Sequence, residues 1–157
     1  MKLIDAINMT DTLKPNMYGM QEKIKWLSRL DTRIFQDVLL THELSDAEKA
    51  RFLPENTGTA TTDDLATWAL DLTPGESENE EHLVFTGYTE EDGDTELIVG
   101  EPYDDMYVLW ISAQIDWNNM EYDNFNASNA MFESVYRNFA NAFNATHKPK
   151  SARKTYF

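Results

Sequence analysis

The chain has 157 residues, 41% hydrophobic and 12% aromatic, with a formal net charge of -15; that is enough apolar material for one compact domain and too much for a disordered chain. A negative field of this size repels DNA phosphates and argues against sequence-specific nucleic-acid binding. Zero cysteines exclude disulfides, thiol nucleophiles and zinc-thiolate sites, and fit a reducing compartment.

Leu3, Ile4 and Ile7 recur at helical spacing in a short first segment, which "TDTLKPN" (10–16) is expected to interrupt, since Pro15 removes a donor and disfavours helix in the residue before it. Asp5 and Asn8 lie where a secretory signal needs an apolar core, and no window approaches the roughly 18 apolar residues of a membrane span. A cytoplasmic protein is expected, and the sequons at Asn8, Asn126 and Asn144 then carry no glycan. Just after Gly19 a long amphipathic helix is predicted from Met20 to about Thr41, with Met20, Ile24, Leu27, Leu30, Ile34, Phe35 and Val38 three and four apart. "SDAE", from Ser45 to Glu48, has the form of a capping box and predicts a short helix through Phe52, stopped by Pro54.

Residues 55–100 change character, with Gly58, Gly75, Gly87 and Gly93 punctuating short runs of β-branched and aromatic residues. Asp92-Gly93 is a favoured hairpin turn and is expected to join strands at 84–88 and 95–99. Pro102 opens another helix, with Asp104 and Asp105 near its positive end and a core face of Met106, Leu109, Trp110, Ala113 and Trp117. A last long helix carries Phe125, Ser128, Met131, Phe132, Val135, Tyr136, Phe139, Ala142 and Phe143 until Lys148-Pro149 ends it. The expectation is a mainly α fold: a small antiparallel helical bundle with a β-hairpin or small-sheet insertion and an extended C-terminal tail. Residues 1–147 form the domain, and 148–157 a basic tail.

Candidate chemistry is sparse. His42 adjoins Glu43 without a second histidine one turn on, so the His-Glu-x-x-His metal helix is absent and His42 reads as a helix-end residue; His82 and His147 have no predictable orienting carboxylate or nucleophile. Glycine-rich phosphate loops are missing, which argues against ATP and dinucleotide cofactors. The acidic run Glu90, Glu91, Asp92, Asp94 lacks the alternation of a calcium loop, and the pairs Asp63-Asp64 and Asp104-Asp105 suit surfaces and helix starts better than two-metal chemistry. No cofactor and no metal are expected. The aromatics between Tyr103 and Phe143 follow the helical period and read as core, with a surplus of Trp and Tyr that suits a protein interface.

Charge is uneven: residues 71–105 hold thirteen Asp or Glu and no Lys or Arg, whereas the end of the chain holds Lys148, Lys150, Arg153 and Lys154 followed by Tyr156 and Phe157. The bland reading of the acidic stretch is a solvated surface, and of the tail a frayed terminus.

"LKPNMYGMQEKIKWLSRLD" (13–31), "VFTGY" (84–88), the run from "DTELIVGEPYDDMYVLWISAQIDWNNMEYDNFNAS" to "AMF" (94–132) and "NATHKPK" (144–150) resemble small proteins from the structural gene clusters of tailed phages and prophages of low-GC Gram-positive bacteria, the head-to-tail connector or adaptor proteins. Residues 44–83 look longer and more divergent than that pattern. The resemblance implies a non-enzymatic, mainly helical subunit of a ring of about twelve copies in the virion neck, assembled in the host cytoplasm beneath the portal protein and around the channel that passes double-stranded DNA. It implies portal and tail or neck proteins as partners, with no membrane. Lys148, Lys150, Arg153 and Lys154 would meet an acidic partner surface, Tyr156 and Phe157 would anchor in an apolar pocket, and Glu90, Glu91, Asp92 and Asp94 would face the channel and repel the duplex. Three rivals stand beside it. A tail-terminator or other neck protein is the nearest, the helix-rich pattern favouring the connector; an acidic DNA mimic that inhibits a host nuclease and a metal-dependent hydrolase using clustered carboxylates are the others.

Overall fold

In a computed structural model, residues 1–45, 47–48, 57–61 and 81–149 are described. Four α-helices dominate them: α1 (Leu3–Leu13), α2 (Met20–Ile34), α3 (Asp105–Asn118) and α4 (Tyr122–Thr146). The protein is mainly helical, and each of these helices lies where the apolar periodicity predicts one.

Helix α3 is the hub. All three other helices pack on it, so it is buried on several faces, with Met106, Tyr107, Ile111, Ala113 and Ile115 fully enclosed. A single core face of Met106, Leu109, Trp110, Ala113 and Trp117 therefore needs correction. Leu109 and Trp110 are only partly buried and Trp117 is 53% exposed, while Tyr107, Ile111 and Ile115 are buried instead. On α4 the buried positions are Phe132, which meets Trp110 of α3, Phe139, which meets Tyr103, and Phe143, which meets His42, while Met131 is exposed.

α2 continues into a π-helical turn, Phe35–Leu39, closed by the Leu40 N–H donating to the Phe35 carbonyl at 2.9 Å. The wider turn brings Phe35, Val38 and Leu39 all into the core after Ile34, which a regular 3.6-residue helix would rotate partly outward. The capping box at Ser45 is formed: the Ser45 N–H donates to Glu48 Oε1 (3.3 Å) and the Glu48 N–H to Ser45 Oγ (3.2 Å). Most of the short helix it was expected to start lies outside the described residues.

The hairpin expected between 84–88 and 95–99 is not formed. Strand β2 (Glu81–Phe85) pairs antiparallel with β1 (Thr57–Thr61), Thr57 opposite Phe85. Asp92-Gly93 is not a hairpin turn, since Glu90–Asp92 is a 3-10 turn with its own capping box from Thr89 to Asp92. The 93–97 segment goes instead to the start of the chain: Leu3 and Ile4 N–H groups donate to the Thr95 and Gly93 carbonyls (both 3.0 Å), and Leu97 N–H donates to Met1 O (3.0 Å). These carbonyls satisfy amides that the first turn of α1 leaves without intrahelical partners, which a hairpin would not have done.

At the Gly87 turn, φ is +86°, a left-handed conformation, and the next N–H, that of Tyr88, donates to Ser28 Oγ at 2.9 Å. A Cβ at Gly87 would meet Ser28 at an ordinary 3.6 Å, so backbone strain rather than a clash sets the cost. Gly87→Ala is expected to lower the unfolding free energy by about 1–2 kcal/mol, read from urea denaturation midpoints.

Candidate interaction surface

Three arrangements of polar or exposed groups stand out, and the first is enclosed. Asp31 of α2 is fully buried. Tyr107 Oη donates to its Oδ1 at 2.6 Å, Tyr88 Oη to its Oδ2, and the Ile98 N–H to Oδ2 at 3.4 Å. Tyr107 Oη in turn accepts from the Val99 N–H at 2.9 Å. Burial raises the Asp31 carboxyl from the ordinary range to about 6, against the lowering effect of its three donors, and burial together with the Asp31 charge raises the Tyr107 hydroxyl. The cluster ties α2, the 86–99 segment and α3 together in the interior. Asp31 and Tyr107 meet no solvent, so the role of the cluster is architectural.

The second arrangement is one pole of the bundle, where the α1–α2 connection meets the α3–α4 turn. Tyr18 Oη donates to Asn119 Oδ1 at 2.8 Å across this junction. Beneath it Asp116, fully buried, takes the Lys14 ammonium on one oxygen and Ser128 Oγ on the other (3.1 Å), so α1, α3 and α4 share one carboxylate. Lys23 is also buried and pairs with Asp11. On this braced base sit apolar side chains left in the open: Leu13 (72% exposed), Met17 (fully exposed), Met20, Trp117, Met120 (74%) and Tyr122. Trp117 packs edge-on against Tyr122 and Phe125, with ring centroids 5.4 and 5.1 Å away.

Met120 adopts a left-handed backbone, φ 60°, which costs a side-chain-bearing residue about 1–2 kcal/mol relative to glycine. The turn therefore holds a strained residue whose apolar side chain points to solvent. Beside it, Met120 to Asn124 line an open hollow of about 440 Å³ whose charged groups are Glu121 and Asp123.

The third arrangement is the root of the tail, at the opposite end of α4. His42 is buried, donates from Nδ1 to the Val38 carbonyl (2.7 Å) and meets the Phe143 ring edge-on. His147 stacks on the Phe143 ring and pairs through Nε2 with the Glu48 carboxylate; that hydrogen bond, first of several causes, holds Glu48 below its usual range. The Glu43 N–H donates to Lys148 O at 2.8 Å, and Pro149 forms a β-bridge with His42. Residues 148 and 149 are thus fastened to the domain.

Of the tail residues singled out in the sequence, Lys148 is exposed, whereas Lys150, Arg153, Lys154, Tyr156 and Phe157 lie outside the described residues. Glu90, Glu91 and Asp94 are exposed on the 3-10 turn and its flank, with Asp94 3.3 Å from Lys2 Nζ; Asp92 is half-buried and caps the turn. Asp104 and Asp105 sit at the start of α3, and Asp63-Asp64 is outside the described residues. The pole was not singled out beforehand, although Met17, Met120 and Trp117-Tyr122 beside an abrupt helix stop carried a usable signal.

No protein-family model, curated protein or solved structure matches this chain. Among the described residues no three His, Cys, Asp or Glu side chains converge as a metal site would require, and no helix is long and apolar enough to cross a membrane.

Proposed function

We propose that the chain is a non-enzymatic structural subunit of a head-to-tail connector ring in the neck of a tailed phage, joined to portal and tail or neck proteins. The observation that carries the reading is the pairing of two unlike ends of α4: an acid-rimmed apolar pole at its start and, at its end, the fastened root, Lys148 and Pro149, of a segment whose sequence is basic. A subunit of a closed ring needs two different complementary faces, and a neck protein must also meet unlike neighbours above and below. The exposed carboxylates of Glu90, Glu91 and Asp94 suit a lining past which a duplex moves without adhering.

Electron microscopy of purified particles tests this. A ring of this subunit, about twelve copies, is expected between portal and tail; particles that lack the chain overturn the proposal, and a position at the distal side of the neck replaces it with the tail-terminator role. A second reading, a DNA mimic that occupies the basic groove of a host nuclease, draws on the net charge of -15 and the same exposed carboxylates. Recovery of a nuclease with the tagged chain, released by salt, would favour it.

A further inference from the structure

The aromatic tip of the tail would have to run almost fully extended to reach the pole of its own molecule. α4 has 25 residues, so its two ends lie about 37 Å apart at roughly 1.5 Å per residue. Along the other helix, Met20 to Leu39 spans about 28 Å from the pole to the segment that holds the tail root. Pro149 is fixed there by its bridge to His42. Phe157 is eight residues further on, a reach of at most about 29 Å fully extended, before any detour over the surface.

The chemistry of the two ends nevertheless matches. The pole offers a hollow lined by Met120 and Tyr122 with Glu121 and Asp123, and the exposed Trp117 packed against Tyr122; residues 150–157 bring Lys150, Arg153, Lys154, Tyr156 and Phe157. Pole against pole would set Glu121 and Asp123 of two copies against each other, a like-charge contact that disfavours the symmetric dimer. We infer that the pole of one copy receives residues 150–157 of a second copy, joining copies head to tail. Basic side chains meet the acidic rim, and an aromatic side chain covers Met120 and Trp117. Each copy then uses one pole and one tail, so the contact repeats, closing into a ring or running on as a filament according to the rotation per step. This contact is a property of the chain in solution and stands whether or not the virion setting is right.

Sedimentation velocity on the full chain at low salt, with two complementary variants, tests it. Tyr156→Ala/Phe157→Ala removes the tip, and Glu121→Lys/Asp123→Lys reverses the rim. The parent is expected to self-associate, each double variant to weaken association by about thirtyfold or more, and an equimolar mixture of the two to form a one-to-one pair that grows no further, because it holds one working tail and one working pole. Met120→Gly relieves the left-handed strain, so it folds at least as well as the parent while losing association. Self-association of the tail variant equal to that of the parent overturns the inference in favour of pole-to-pole pairing. A parent that stays monomeric at all concentrations overturns it too, and assigns the tip to its own molecule, where an apolar groove of about 200 Å³ between Ile98, Val99, Tyr103, Phe139 and Phe143 lies within reach. A mixture of the two variants that does not pair is equally fatal.

Discussion

Replacing Tyr107 with phenylalanine is expected to lower the unfolding free energy by about 2–3 kcal/mol at pH 7 and clearly less near pH 4.5. The hydroxyl does two jobs in the interior, donating to Asp31 Oδ1 and accepting from the Val99 N–H. At pH 7 the Asp31 carboxyl, raised to about 6, is mostly ionised, and losing a donor to a buried charge costs more than losing a neutral hydrogen bond. At the lower pH the carboxyl is protonated in the folded state and only the neutral bonds are lost. Chemical denaturation of both proteins at the two pH values checks this, and an equal loss at both would mean that the charge on Asp31 is not felt.

The same group sets a pH trend in the parent. Its folded-state value lies above the ordinary 3.8, so the folded protein holds the proton more tightly than the unfolded chain. The stabilisation from that proton is fully present below 3.8 and is lost as pH rises through about 6, a change of about 3 kcal/mol. Asp31→Asn removes this titration, so the stability difference between parent and variant should move in the parent's favour as pH falls from 7 towards 4.

The second large effect is expected at Phe132. Phe132→Ala should cost about 3–5 kcal/mol, since the ring is fully buried, lies 5.1 Å from Trp110 and 5.8 Å from Tyr136, and sits where α3 and α4 meet. The neighbouring Met131→Ala should stay within about 0.5 kcal/mol, because Met131 is 59% exposed. Thermal or denaturant unfolding of the pair resolves the difference; similar losses would mean that α4 is rotated from the orientation described. Both residues fit an apolar stripe by spacing alone, and only the position of α3 separates them.

What the sequence by itself determined is local. The existence and order of the four helices, the stop of the last at Lys148-Pro149 and the capping box at Ser45 follow from neighbours a few positions apart, where backbone amides and side chains on one face meet, although the second helix was expected to run regularly to about Thr41 and the third to open at Pro102. The tertiary structure decided which distant groups were chosen as partners. The strand-like 95–97 stretch pairs with residues 1–3 rather than with 84–88, because its carbonyls cap α1 there. Asp31 reads as one charged position on an amphipathic helix, yet Tyr88 and Tyr107, 57 and 76 positions away, give its carboxylate the donors that make burial tolerable. Asp116 needs Lys14, 102 positions earlier. Trp117 has the spacing of a core residue, but the partners at this end of α3 gather on the neighbouring Asp116, leaving the ring to form the pole with Met120 and Tyr122. Periodicity records which side chains share a face; whether that face is covered depends on where the other helices end.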